Sequence, residues 1–194
     1  MRFVVTPPAP VCVPVGGTED RFPVRRVYCV GRNYEDHAKE MGFTGREPPF
    51  FFLKPADAIV VVDAGSTGSM AYPSLTKNLH HEIELVVAIG TGGKNIQAAD
   101  AHQHIFGYAV GLDMTRRDLQ NEMKKQGRPW CIGKGFDQSA QMGPTTPVAE
   151  AGDVDNAELY MTVGVQDRHR HHVSKLIRNI TASSSPLSAT VEMT

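Results

Sequence analysis

Three cysteines in a chain of 194 residues, Cys12, Cys29 and Cys131, are too few and too far apart for a disulfide framework. They form no CxxC pair either, which excludes a thiolate metal knuckle and fits a reducing compartment. An excess of charge of one sign is also missing: 20 Lys and Arg stand against 21 Asp and Glu, giving a net charge of −1. Such a balance gives no electrostatic footprint for a nucleic-acid or anionic-membrane partner. No apolar run reaches membrane-spanning length. Pro7, Pro8 and Pro10 fall where an export signal needs an unbroken apolar helix, so no signal is expected. The glycine cluster at 90–93 lacks the GKS or GKT ending of a phosphate loop. These absences leave the expectation of a soluble, cytoplasmic (or mitochondrial) globular protein, long enough for one domain with a real core.

What is present centres on residues 80–89, His-His-Glu-Ile-Glu-Leu-Val-Val-Ala-Ile. The apolar, β-branched second half has the composition of a strand inside a sheet. Side chains two apart share a strand face, so His80, Glu82 and Glu84 point one way and His81 and Ile83 the other. Neighbouring carboxylates repel unless a cation lies between them or both reach water. Both readings stand at this point: a strand leaving its sheet, or a hard-cation site wanting oxygen ligands. A further acceptor, Asp113, closes a second strand-like run (108–113) just before a helix.

In chain order, residues 1–22 are rich in Pro and Gly and read as an extended arm. A strand over 24–30 leads to Asn33, an N-cap for a helix over 34–41 that Gly42 closes. That helix places His37 and Glu40 on one face, as a surface pair or a functional one. Residues 50–53, all apolar, form a buried strand ending in Lys54, a snorkelling end or a cation aimed into a cleft. Another strand is expected over 58–62, a loop over 63–73 and a helix over 96–105. Thr115 is expected to cap a helix over 116–126, with Asp118 at its third position and Gly127 closing it. Arg117 and Gln120 share a face of that helix. Lys134, between two glycines, is either a solvated turn lysine or a group on backbone that approaches a ligand.

Five segments in order, YCVGRNYEDHAKEMG (28–42), FFLKP (51–55), HEIELVV (81–87), GYAVGLDMTRRDLQ (107–120) and W130 with GKGFD (133–137), resemble the motifs of the fumarylacetoacetate hydrolase family. The likeness spans 23–147 and is nearest to the short members: fumarylpyruvate and acylpyruvate hydrolases and the related oxaloacetate decarboxylases. It implies an α+β, mostly β fold, a mixed β-sandwich roll with short helices. It also implies a Mg²⁺ or Mn²⁺ cofactor, a homodimer and a small 2-oxo or 2,4-dioxo acid as substrate. Position by position, the resemblance makes Glu82, Glu84 and Asp113 metal ligands and His37 with Glu40 the water-activating pair. Lys134 becomes a catalytic cation, and Arg117 and Gln120 become substrate-holding groups.

The likeness fades toward the end of the chain. The family's Thr-Gly-Thr-Pro segment has no counterpart, and its Asn-Gly hairpin turn is reduced to Gly164. The run 166–172, basic and His-rich, reads as a solvated stretch rather than a metal tract. Residues 173–181 keep a faint helical likeness, and 182–194 read as an irregular tail. The expected organisation is an arm (1–22), a catalytic domain (23–181) incomplete at its C-terminal side, and a tail (182–194). Three functions follow: C–C hydrolysis of an acylpyruvate in aromatic catabolism, decarboxylation of oxaloacetate at the same site, or a catalytically weak remnant.

Overall fold

The computed structural model describes residues 2–33 and 47–193. The helix expected over 34–41, with His37 and Glu40, lies outside the described residues. Eleven strands are described among them: β1 (Cys12–Pro14), β2 (Arg21–Pro23), β3 (Val27–Gly31), β4 (Phe50–Lys54), β5 (Ile59–Val61), β6 (Leu79–Ile89), β7 (Ile105–Arg116), β8 (Ala140–Met142), β9 (Thr146–Pro147), β10 (Glu158–Val163) and β11 (Gln166–His172). The helices are short: α1 (Arg117–Lys125), α2 (Cys131–Lys134) and α3 (Ile180–Thr190). The molecule is mostly β with few helices, as expected.

The central sheet runs β5-β8-β7-β6, with β9 also against β7. It is mixed because β5 and β8 are parallel while β6, β8 and β9 all run antiparallel to β7. Strands β6 and β7 pair over their whole length, which sets Glu82 opposite Asp113 and Glu84 opposite Gly111. Three two-stranded pieces surround this sheet: β1-β2, β3-β4 and β10-β11. Gly107 is required where β9 crosses: a Cβ there would stand 2.3 Å from the Thr146 carbonyl oxygen.

Among the described residues β3 pairs only with β4, and β6 only with β7. Their outer edges face each other across an apolar cleft of about 320 Å³, lined continuously by residues 22–30 and 84–89. Edge strands that meet no third strand leave hydrophobic surface open between them.

Several local expectations are corrected. The arm is part of the body: β2 straddles residues 22 and 23, Val13 is fully buried, and Val15 bridges to Thr145. Residues 96–105 form only a 3-10 turn, Ala101–His104, because Ile96 and Ala101 are buried against Met193 rather than along a helix stripe. The tail is largely helix: the Asn179 carboxamide oxygen accepts from the Ala182 amide at 2.9 Å and starts α3. Ser188, fully buried, holds that helix to the body by accepting from the Ile96 amide at 2.9 Å. The helix tolerates Pro186 because it is fixed by these outside contacts and by the Gly93–Met193 bridge. The His-rich run is strand β11, paired with β10 around Gly164 at φ +62°.

At the start of α1, Thr115 is not the cap. Its hydroxyl points back to Glu82 and the Asp113 carbonyl, while β7 extends through Arg116. Asp113 therefore sits inside the strand and not in a strand-to-helix turn. The other end matches a Schellman closure: Gly127 has φ +63°, its amide donates to Lys124 at 3.2 Å, and that of Arg128 donates to Met123 at 2.9 Å.

Candidate active site

The alternation along β6 places Glu82 and Glu84 toward one small cavity, about 40 Å³, together with Asp113. His81, on the other face, meets the ring of His169 on β11. Directly opposed carboxylates on adjacent strands destabilise a sheet unless they are compensated. Here the compensation is Lys134 at the end of α2: its Nζ donates to Glu82 Oε2 and to Asp113 Oδ2, both at 2.6 Å. Lys134 is 3% exposed, so the solvated-lysine reading is excluded. Its neighbour Gly133 serves a different purpose from ligand approach, since a Cβ there would press on the Gln120 backbone at 3.0–3.1 Å. Gly133 is what lets α2 lie close enough to α1 for Lys134 to reach both acids.

Arg117 caps the arrangement from α1, donating through Nη2 to Glu82 Oε1 and through Nη1 to Gln120 Oε1 at 2.7 Å. Of the two readings that the sequence leaves open for Lys54, a snorkelling strand end or a cation aimed into a cleft, the structure favours the second. Only 2% exposed, it donates to the Met114 carbonyl at 3.0 Å and to the Lys134 carbonyl. Its Nζ lies 2.9 Å from Asp113 Oδ1 but out of hydrogen-bonding alignment, so that oxygen accepts no hydrogen bond among the described residues. A lysine ending four apolar residues on a strand was the one available signal.

Burial pushes both lysines below the ordinary lysine value, and the Asp113 carboxylate beside each opposes that shift. Burial, helped by Asp113, pushes the Cys29 thiol up to about 12, so it is inert at neutral pH. An aromatic wall backs the site: Lys134 Nζ lies 4.9 Å from the Phe52 ring centre, and Phe50 packs on Trp130 at 4.7 Å.

The structure thus brings together Glu82, Glu84, Asp113, Arg117, Gln120 and Lys134; His37 and Glu40 lie outside the described residues. The donor set is all oxygen, which suits a hard divalent cation, and Asp113 offers an oxygen that accepts no hydrogen bond among the described residues. Among the described residues no three acidic, imidazole or thiol groups stand in ligating geometry. The Lys134 ammonium occupies the point between Glu82 and Asp113 instead. The larger cleft between β3 and β6 shares Glu84 and Asp113 with the small cavity, which alone of the two is lined by Glu82, Arg117, Gln120 and Lys134.

Residues 26–194 match the family described as fumarylacetoacetate (FAA) hydrolase C-terminal. The crystal structure of fumarylpyruvate hydrolase from Pseudomonas aeruginosa in complex with Mn²⁺ and pyruvate superposes with a TM-score of 0.95 at 53% identity, covering 99% of this chain and 83% of that one. The mitochondrial oxaloacetate tautomerase FAHD1 of Bos taurus is 37% identical over 80% of this chain and 69% of its own length. The mitochondrial oxaloacetate decarboxylase of Dictyostelium discoideum is 35% identical over 80% of this chain and 70% of its own length.

Proposed function

The chain belongs to the fumarylacetoacetate hydrolase family, and from that premise we propose that it is a metal-dependent hydrolase cleaving a C–C bond in a 2,4-dioxo acid. The products are pyruvate and a carboxylic acid, with fumarylpyruvate or another acylpyruvate as substrate. One observation carries the reading: a lysine ammonium, buried between two opposed carboxylates and beside an arginine fork, at one small polar cavity. A Mg²⁺ or Mn²⁺ ion held by Glu82, Glu84 and Asp113 would supply Lewis-acid polarisation of the substrate's 2-oxo group. The Mn²⁺ and pyruvate in the Pseudomonas structure support both assignments.

The chain's own residues do the rest. Arg117 grips the substrate carboxylate with a planar fork that a lysine could not match, and Gln120 sets the angle of that fork. Lys134, held against the Phe52 ring, supplies fixed positive charge where oxyanion charge develops as the bond breaks. His37, oriented by Glu40, takes a proton from the attacking water, a step typically worth ~10²–10⁴-fold in rate. Arg32, which lines the same cavity, stands two residues before the segment that carries this pair.

The test is acylpyruvate cleavage by purified protein with and without EDTA. Turnover should vanish with chelation and return with Mg²⁺, and should be lost in Glu82→Gln and Asp113→Asn. Metal-independent turnover, or full activity in either variant, would overturn the site. The oxaloacetate relatives favour a second reading, conversion of oxaloacetate at the same groups. Product analysis on both substrates separates the two, and turnover of neither would leave the catalytically weak remnant.

A further inference from the structure

The back face of β6 carries a group that the oxygen-rich site does not use. His81 points away from Glu82 and Glu84, and its Nε2 is buried with no hydrogen-bond partner among the described residues. A buried polar atom of that kind calls for a water or an ion beside it. Across from it the chemistry is imidazole again. His169 on β11 stands edge-on to the His81 ring, with centroids 6.2 Å apart and planes at 79°. The His171 ring lies 5.8 Å from that of His169.

Strand geometry explains the gathering. His169 and His171 are two apart on β11 and share a face. Their partners across the hairpin are Met161 and Leu159, and Leu159 is buried, so this face turns toward the body. The other face carries Arg170, paired with Glu158 and lying over the Tyr160 ring. The expectation of a solvated run thus fits the outer face of β11 and not the inner one, where both imidazoles are half-buried. Burial lowers the His169 pKa, and the charges of His171 and His81 lower it further. The ring is therefore neutral at pH 7 and has a lone pair to give.

We propose that His81 and His169 form a nitrogen-ligated site for a borderline divalent transition cation such as Zn²⁺ or Cu²⁺, which fastens the β10-β11 hairpin to β6. The assignment does not depend on the hydrolase reading. Imidazole nitrogen suits these ions, whereas Mg²⁺ takes oxygen. Metal–nitrogen bonds of about 2.0–2.1 Å set the centroids of two imidazoles on one ion roughly 5–6 Å apart, so the observed pair needs only a small closing movement. Two protein nitrogens leave the remaining positions to water, in keeping with the absence of a three-ligand group among the described residues. The hairpin pairs with no third strand among the described residues, and a cross-link to β6 acts where strand pairing does not.

The test is titration of the Mg²⁺-saturated protein with Cu²⁺, read by electron paramagnetic resonance, and with Zn²⁺, read by imidazole ¹⁵N spectra. One equivalent of Cu²⁺ should show coupling to imidazole nitrogen, and Zn²⁺ should shift the signals of His81 and His169. His169→Gln, on the hairpin, should weaken binding at least about 10-fold, the scale reached by losing even an outer partner of a ligand. Glu82→Gln, which alters the oxygen-ligated face, should leave the nitrogen-coupled signal unchanged. Zn²⁺ should also slow amide exchange along β11 in the wild type and not in His169→Gln. A copper signal without nitrogen coupling, or one equal in wild type and His169→Gln, would overturn the site. Binding of neither ion would mean that the His81 Nε2 meets only water, which overturns it as well. Tight binding that leaves β11 exchange unchanged would refute the fastening.

Discussion

An ammonium removed from water needs carboxylates and carbonyls in its place, and Lys54 finds two carbonyls and the flank of Asp113. Its role is to set a positive charge beside the Asp113 carboxylate and to hold the end of α2 in place. Lys54→Met should therefore cost about 3–5 kcal/mol in urea unfolding, the usual penalty for breaking a buried pair. A loss below about 1 kcal/mol would show that Lys134 alone holds Asp113. Cys29 and Cys131 give a contrast at the same scale. The half-buried Cys29 thiol, pushed up to about 12, should react far more slowly with a disulfide reagent at pH 8 than the exposed Cys131. Rapid modification of Cys29 in the native protein would mean that the site opens readily.

At the scale of elements, α1 is anchored by a residue whose expected role was different. Its place in the sequence puts Asp118 at the third position of a capping box; its carboxylate instead accepts from the Thr76 hydroxyl at 2.5 Å and the Lys77 amide at 2.9 Å, tying the helix to the loop before β6. The hydrogen bond from Thr76, then that from the Lys77 amide, holds its pKa below the ordinary aspartate value. A carboxyl with a lowered folded-state pKa stabilises the fold above its unfolded value, and that contribution fades as pH falls toward the folded one. Asp118→Asn should thus reduce stability by about 1 kcal/mol at pH 7, and the gap to wild type should close below pH 4. A gap that persists in acid would place the effect elsewhere. Gly107→Ala would drive a methyl into the Thr146 carbonyl. It should cost about 1–3 kcal/mol by overpacking and loosen β9 first, as read by hydrogen exchange at the Thr146 and Val148 amides.

At the scale of the whole molecule, the cleft between β3 and β6, whose facing edges pair with no other strand among the described residues, measures about 320 Å³, and its walls are mainly apolar. The single chain should accordingly bind a hydrophobic dye such as ANS under native conditions, with a stoichiometry near one. Dye binding should fall if a partner or a second copy covers the edges. A native chain that binds no dye at any concentration would show that the cleft closes in solution.

Period-two alternation at 80–85 was enough to put Glu82 and Glu84 together and to turn His81 away. The three-residue spacing of Arg117 and Gln120 was enough to pair them, and the left-handed glycine was enough to stop α1. These features are local, so the sequence carries them. The irregular tail became a helix, and 96–105 did not, because contacts across the fold among Ser188, Ile96 and Met193 outweigh local propensity. Lys54 could not be assigned from sequence, since a strand-end lysine has the same neighbours in the chain whether it meets water or Asp113. Composition, order of motifs and alternation of side chains were settled by the 194 residues alone. Which ammonium stands between which carboxylates was decided only when four separate elements packed together, because the free energy of a buried charge depends on what surrounds it in space.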